Sequence, residues 1–238
     1  MICSTYVFLL DYLSKKVYTI NIGIANNSYL NSIIILNTYI KHKNTRRYIM
    51  IEIRWHGRGG QGAKTASLLL ADAAFNTGKY IQGFPEYGPE RMGAPMTAYN
   101  RIDDTEIRIH SNVYSPDYVV VIDDSLIGTV NITEGLKETG ALLVNSSESI
   151  EKIRSKLSNF KGKIYIVDAS KISRECLKAN FPNTAMLAAI IKVTGIMNKE
   201  ELLKDMLGSF KHKFARKPDV IEPNMQAINR AYDEVIGG

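Results

Sequence analysis

The segment His56-Gly57-Arg58-Gly59-Gly60-Gln61-Gly62-Ala63 separates two stretches of opposite periodicity. Before it, Ile51, Ile53 and Trp55 alternate with Glu52, Arg54 and His56, the period of a half-buried strand. After it, Ala63–Asn76 is rich in Ala and Leu and is closed by Gly78, the pattern of a helix that packs closely through small residues. A strand, a glycine turn and a helix in that order start an α/β unit and leave little room for an all-α or all-β fold.

Three later segments extend this reading. Tyr118–Ile122, Ala141–Val144 and Ile164–Val167 are short apolar runs, as strands buried on both faces of a parallel sheet tend to be. Tyr80–Phe84 reads as a further strand, and Met96–Arg101 with Glu106–His110 as an antiparallel hairpin across Asp103-Asp104. Each of the three runs ends in polar residues: Asp123-Asp124-Ser125, Asn145-Ser146-Ser147 and Asp168-Ala169-Ser170. They could line a pocket at the carboxyl edge of the sheet. Capping of the following helices explains all three endings more simply and is the preferred reading.

Helices close the chain. Asn183 is placed to cap Thr184–Thr194, with Gly195 as its C-terminal stop, and Met186–Ile191 is apolar on nearly every face, so it should lie in the core or against a partner. Asn198 with Glu201 has the spacing of a capping box, and Met225, Ile228, Tyr232 and Val235 share one stripe of a last helix, about Met225–Val235. The expected fold is a three-layer α/β, Rossmann-like domain over residues 50–238, with a mostly parallel sheet and one antiparallel hairpin.

The first 49 residues differ in texture. They hold nine Ile, six Asn and six of the thirteen Tyr, lack Pro, Glu and Gln, and contain one glycine, Gly23. Their longest apolar run, Tyr6–Leu10, is far short of the roughly 20 residues that span a bilayer. No basic region precedes that run and no small-residue cleavage site follows it. Ile, Asn, Tyr and Lys are the residues of A/T-rich codons, so residues 1–49 read as a non-native or disordered extension, with the protein proper starting at Met50.

Charge supports the division. The chain carries +6 overall. Residues 1–49 have six basic side chains and one acid, whereas the remaining 189 have 24 bases and 23 acids. A nearly neutral body offers no electrostatic footprint for nucleic acid. The two cysteines, Cys3 and Cys176, cannot build a disulfide framework or hold an iron–sulfur cluster, and the four histidines are too scattered for a metal site. No metal is expected on this chain, and no membrane contact.

The glycine turn resembles two phosphate-binding signatures and satisfies neither. Gly57-Arg58-Gly59-Gly60-Gln61-Gly62 matches G-x-G-x-x-G, but the acid expected near the end of the second strand to hold a ribose is missing: Glu86 follows Pro85. A Walker A loop needs Gly-Lys-Ser/Thr, and Ala63 intervenes between Gly62 and Lys64-Thr65. One added helical residue turns that lysine by about 100°. Glycines at a helix N-terminus can still admit an anion to backbone N–H groups, while a tight turn with small residues for packing explains the same positions. The second feature is Gly83–Pro95, with glycines at 83, 88 and 93 and prolines at 85, 89 and 95. A loop so long and so restricted suits an interface or a ligand cover.

Together HGRGGQGAKTAS and FPEYGPERMGAPM resemble the gamma subunits of the 2-oxoacid:ferredoxin oxidoreductases, the pyruvate-converting (pyruvate synthase) branch above the others. The resemblance continues through Ser115–Val121, Thr133–Leu136, Gly140–Asn145, Phe181–Leu187 and Val193–Gly195, and leaves residues 1–49 outside. It implies a subunit that supports reversible, coenzyme A-dependent oxidative decarboxylation of pyruvate to acetyl-CoA and CO2, with ferredoxin as electron acceptor. It also implies alpha, beta and delta partners in the cytoplasm. The complex would use thiamine diphosphate, Mg and [4Fe-4S] clusters held by those partners, none of them bound by this chain alone. No catalytic residue is expected here. Gly57, Arg58, Gly59, Gly60, Gln61, Gly62, Lys64 and Arg91 are the candidates to face coenzyme A phosphates, though both loops could instead contact alpha or beta. A 2-oxoglutarate or 2-oxoisovalerate enzyme, or a stand-alone nucleotide- or CoA-binding module, remains as an alternative.

Overall fold

Residues 5–11, 16–22, 50–86, 92–157 and 160–238 are described in the computed structural model. The chain divides into two units, Met1–Arg47 and Tyr48–Gly238. Within the first, β1 (Thr5–Asp11) and β2 (Lys16–Ile22) pair antiparallel, Thr5 opposite Ile22 and Asp11 opposite Lys16. The rest of the extension lies outside the described residues.

The second unit is built on a seven-stranded sheet. Its strands are β3 (Ile51–Arg58), β4 (Tyr80–Pro85), β5 (Pro95–Asp103), β6 (Tyr118–Val121), β7 (Ala141–Asn145), β8 (Lys163–Val167) and β9 (Ile236–Gly237), in the spatial order β4-β5-β3-β6-β7-β8-β9. Strands β3, β6, β7 and β8 run parallel. Strand β5 is antiparallel to both β3 and β4, and β9 is antiparallel to β8.

The apolar runs are continuous because both faces of the central strands are buried. Val120 and Leu143 enter the core shared with α1 (Ala63–Phe75), α3 (Ala169–Leu177), α4 (Asn183–Thr194), α5 (Lys199–Lys213) and α6 (Ile221–Glu234). Their neighbours Val119, Val121, Leu142 and Val144 point the other way, into a smaller core closed by α2 (Ile150–Lys156) and by Leu126 and Ile132. Helices on both faces of the sheet give the expected three layers.

Helix α4 occupies the centre of the helical layer. Ala185–Ile191 are at most 1% exposed, so the all-round apolar run is spent on this chain's own core. Gly195 ends it at φ 64°, as expected, but Asn183 does not cap it: Asn183 is the first helical residue and follows Pro182. The capping box at Asn198 and Glu201 is formed on both arms.

Two further expectations are corrected. Glu106–His110 is not a strand. Both edges of β5 are already taken, by β3 and by β4, so the antiparallel pair is β4–β5 and no ladder partner remains for residue 106 onward. The strand-end residues, too, are not all caps. Asp168 does cap α3 through Lys171 N–H, and Asp123 accepts from Ser125 N–H ahead of a single 3-10 turn. Asn145-Ser146-Ser147 does not cap the helix that follows it, because α2 begins at Ile150 with Ser149 as its N-cap; Asn145 Oδ1 accepts instead from Ser170 N–H in the first turn of α3.

Candidate functional site

Gly57 and Arg58 are the last two residues of β3, and the chain reverses immediately afterwards, Gln61 N–H donating to Arg58 O at 3.0 Å. Gly60 and Gly62 sit at φ 94° and 86°, a region that only glycine occupies without strain. At Gly62 there is a steric reason as well, since a Cβ there would lie 3.0 Å from Asn183 Cβ. Gly62 is also the N-cap of α1 and has no side chain to satisfy the first-turn N–H groups. The first-turn N–H groups of α1 therefore have no side-chain cap, whereas the N–H groups of Arg58, Gly59 and Gln61 are already used within the turn and its neighbour loop.

The turn is held by side chains and by the second loop. Gln61 folds back so that its Oε1 accepts from Arg58 N–H at 2.8 Å, while its Nε2 donates to Asp123 Oδ2 at 2.5 Å. Arg58 Nε lies 3.2 Å from the same Asp123 oxygen, Arg58 Nη2 donates to Ser125 Oγ at 3.0 Å, and Arg58 Nη1 donates to Gly93 O at 3.2 Å. Gly59 N–H donates to Ala94 O, and Gly93 N–H to Gly59 O. The two sequence motifs thus meet backbone to backbone. Burial raises the Asp123 pKa, but hydrogen bonds from Ser125 and Gln61 and the Arg58 charge more than offset this, leaving its carboxyl below the ordinary value.

Not every predicted residue joins this cluster. Gly57, Arg58, Gly59, Gly60, Gln61 and Gly62 form one turn. Lys64 is exposed on the first turn of α1 and lines a groove toward α5 with Ser209, His212 and Lys213, as the intervening Ala63 requires. Arg91 lies outside the described residues.

Beside the turn, a polar cavity of about 270 Å³ opens at the carboxyl edge of the parallel strands. Gln61, Asp123, Asp124, Asn145, Ser146, Asp168, Ser170 and Arg174 line it. Asn145 Nδ2 donates to Ile122 O and to Ser170 Oγ, its Oδ1 accepts from Ser170 N–H, and Ser146 Oγ donates to Asp124. These residues tie three strand ends to one another. In the sequence they show as a repeated polar ending, a signal that capping and an edge pocket share.

Beneath the turn, the outer face of β3 and β5 carries ionisable groups. Arg54 is 8% exposed and donates to Ile132 O, Glu134 O and, at 3.1 Å, to His56 Nε2. Burial, reinforced by the Arg54 charge and only partly offset by Glu86, brings the His56 pKa down to about 4. Hydrogen bonds from Thr97 and Tyr99 hold the Glu86 carboxyl below its ordinary value, and burial followed by the Glu86 bond pushes Tyr99 up to about 12. Among the described residues no three His, Cys, Asp or Glu side chains gather as a metal site. The donor set of these described residues does not fit an iron–sulfur cluster or Mg.

Fold and site together define a Rossmann-like α/β domain whose glycine turn is tied to the neighbouring strand end through the Arg58–Asp123 pair. A family model described as pyruvate ferredoxin/flavodoxin oxidoreductase matches residues 52–234, and the chain belongs to that family. It is 52% identical over 184 residues to pyruvate synthase subunit PorC of Thermotoga maritima, covering 77% of this chain and 94% of the relative. It is 46% identical over 187 residues to the pyruvate/ketoisovalerate oxidoreductases common subunit gamma of Thermococcus kodakarensis, covering 79% and 98%. A crystal structure of pyruvate oxidoreductase subunit PORC from Thermotoga maritima superposes with a TM-score of 0.69 at 46% identity, covering 79% of this chain and 98% of that one.

Proposed function

We propose that the chain is the gamma subunit of a pyruvate synthase, and that in the assembled enzyme it supports coenzyme A-dependent, reversible oxidative decarboxylation of pyruvate to acetyl-CoA and CO2 with ferredoxin as acceptor. The observation that carries this is the 52% identity to a pyruvate synthase subunit across 94% of that subunit's length. The thiamine, Mg and cluster chemistry belongs in this reading to alpha, beta and delta partners in the cytoplasm. No helix among the described residues is long and apolar enough to cross a membrane.

This chain contributes binding and positioning. The uncapped start of α1 behind the glycine turn offers N–H donors, and Arg58 offers a planar fork suited to a phosphate; Arg91 is proposed for the same role. Lys64, set in a different groove, would reach the ligand only if coenzyme A extends across α1. A second substrate is favoured by one observation: the 46% identical relative is named as common to pyruvate and ketoisovalerate enzymes. Selection of the oxoacid would then rest with the partners, and 2-oxoisovalerate would be turned over with the same gamma chain.

The functional domain in this reading is residues 50–238, which contains the whole family match, and residues 1–49 are translated upstream sequence. Intact mass of the native chain tests that part. Native purification with subunit mass spectrometry, followed by ferredoxin reduction with pyruvate or 2-oxoisovalerate, tests the rest. Recovery of the chain alone would instead favour a stand-alone nucleotide- or CoA-binding module.

A further inference from the structure

On the helical side, α1, α5 and the start of α6 leave a groove of about 550 Å³. Its floor and walls are Leu69, Phe210, Phe214, Val220 and Pro223, and Phe181 stands on its rim at 58% exposure. A second groove continues from it through the shared Thr65, Leu69 and Lys213 and adds Lys64, Leu68 and His212. This double groove lies apart from the carboxyl-edge cavity and shares no lining residue with it.

The surrounding charge is one-sided. Residues 211–217 hold Lys211, His212, Lys213, Arg216 and Lys217 with no acid among them. Lys211, Lys213, Arg216 and Lys217 enter no ion pair among the described residues. The C-terminal dipole of α5 accounts locally for Lys211 and Lys213, but Arg216 and Lys217 lie past the end of the helix. The grooves themselves carry two acids, Asp72 and Asp219. An apolar trough with a basic rim matches an amphipathic segment whose polar face is acidic.

We propose that this groove docks an acidic amphipathic helix of a partner subunit. The inference rests on the reading that the chain works as an assembled subunit, and it adds the face and the chemistry of the contact. Charge decides against the other occupants. A second copy would bring the same basic rim, and the chain's own first 49 residues have six bases to one acid.

The test compares amide hydrogen exchange of the isolated chain and of the purified complex, with carbodiimide cross-linking of the complex. Exchange at residues 177–184 and 210–224 slows about tenfold or more on assembly, and Lys211, Lys213 or Lys217 cross-links to Asp or Glu of another subunit. The Arg216→Glu/Lys217→Glu double variant, at positions past the end of α5, keeps its melting temperature and loses about tenfold in subunit affinity; Phe181→Asp does the same. An enzyme that assembles with the groove exchanging as in the free chain overturns the docking inference alone. So do cross-links between two copies of this chain, or equal protection of the isolated chain by coenzyme A. A chain that assembles with no other subunit overturns the subunit reading and this inference together.

Discussion

Arg58 and Asp123 share an ion pair at 3.2 Å, although 64 residues of chain lie between them. The arginine that the family resemblance marks as a candidate for a coenzyme A phosphate is thus already committed to a carboxylate from the neighbouring strand end. A ligand phosphate must compete with Asp123, or share Arg58 with it. Arg58→Ala should raise the KM for coenzyme A about tenfold with kcat little changed, as loss of a ground-state phosphate contact does. Asp123→Asn should lower that KM a few-fold, since it frees the guanidinium and removes a negative charge from the ligand's approach. Steady-state kinetics on the assembled enzyme checks both, and movement of both values in one direction would assign the pair to packing.

The two left-handed glycines should differ in their response to alanine. Among the described residues Gly60→Ala meets only Met92 Cγ at 3.8 Å, so its cost is the backbone strain, on the order of 1 kcal/mol. Gly62→Ala adds a close approach to Asn183 at 3.0 Å and should cost more, roughly 2–3 kcal/mol. Urea unfolding of the two variants gives the comparison.

Trp55 is wholly buried and donates its indole N–H to Asn100 Oδ1 at 2.8 Å. Asn100 Nδ2 in turn donates to Ser67 O, linking β3, β5 and α1. Asn100→Leu leaves the indole donor and the Ser67 carbonyl without this partner and should destabilise by about 2–4 kcal/mol. Chemical denaturation measures it, and tryptophan fluorescence should shift with the loss of the bond.

His56 sets a pH dependence. Its pKa is near 4 in the fold and about 6.5 when unfolded, so between those values the unfolded chain binds more protons. Stability therefore falls as pH drops from 6.5 toward 4, by on the order of 2–3 kcal/mol. Arg54 stays charged, Tyr99 stays neutral, and the lowered Glu86 stays ionised over most of that window. His56→Gln keeps an acceptor for Arg54 and should flatten this part of the curve, read as melting temperature against pH.

Local chemistry was legible wherever the responsible atoms are neighbours in the chain. The α5 capping box spans Asn198 and Glu201, Gly195 stops α4 by its own φ, and the glycine turn needs only residues 57–62. The apolar runs announced buried parallel strands because that environment demands apolar side chains on both faces. The sequence by itself therefore determined the α/β class, the parallel core and the position of the glycine turn. Tertiary structure decided the remainder, since those contacts join residues tens of positions apart. Strand β5 has two edges, and their occupation by β3 and β4 excluded the hairpin expected at 106–110. Asn145 reached Ile122 and the first turn of α3 at Ser170 in place of the helix that follows it in sequence. Lys64 and Arg58, six residues apart, were given different surroundings: Arg58 pairs with Asp123 at the strand ends, while Lys64, carried one helical step further by Ala63, lines the groove beside Lys213.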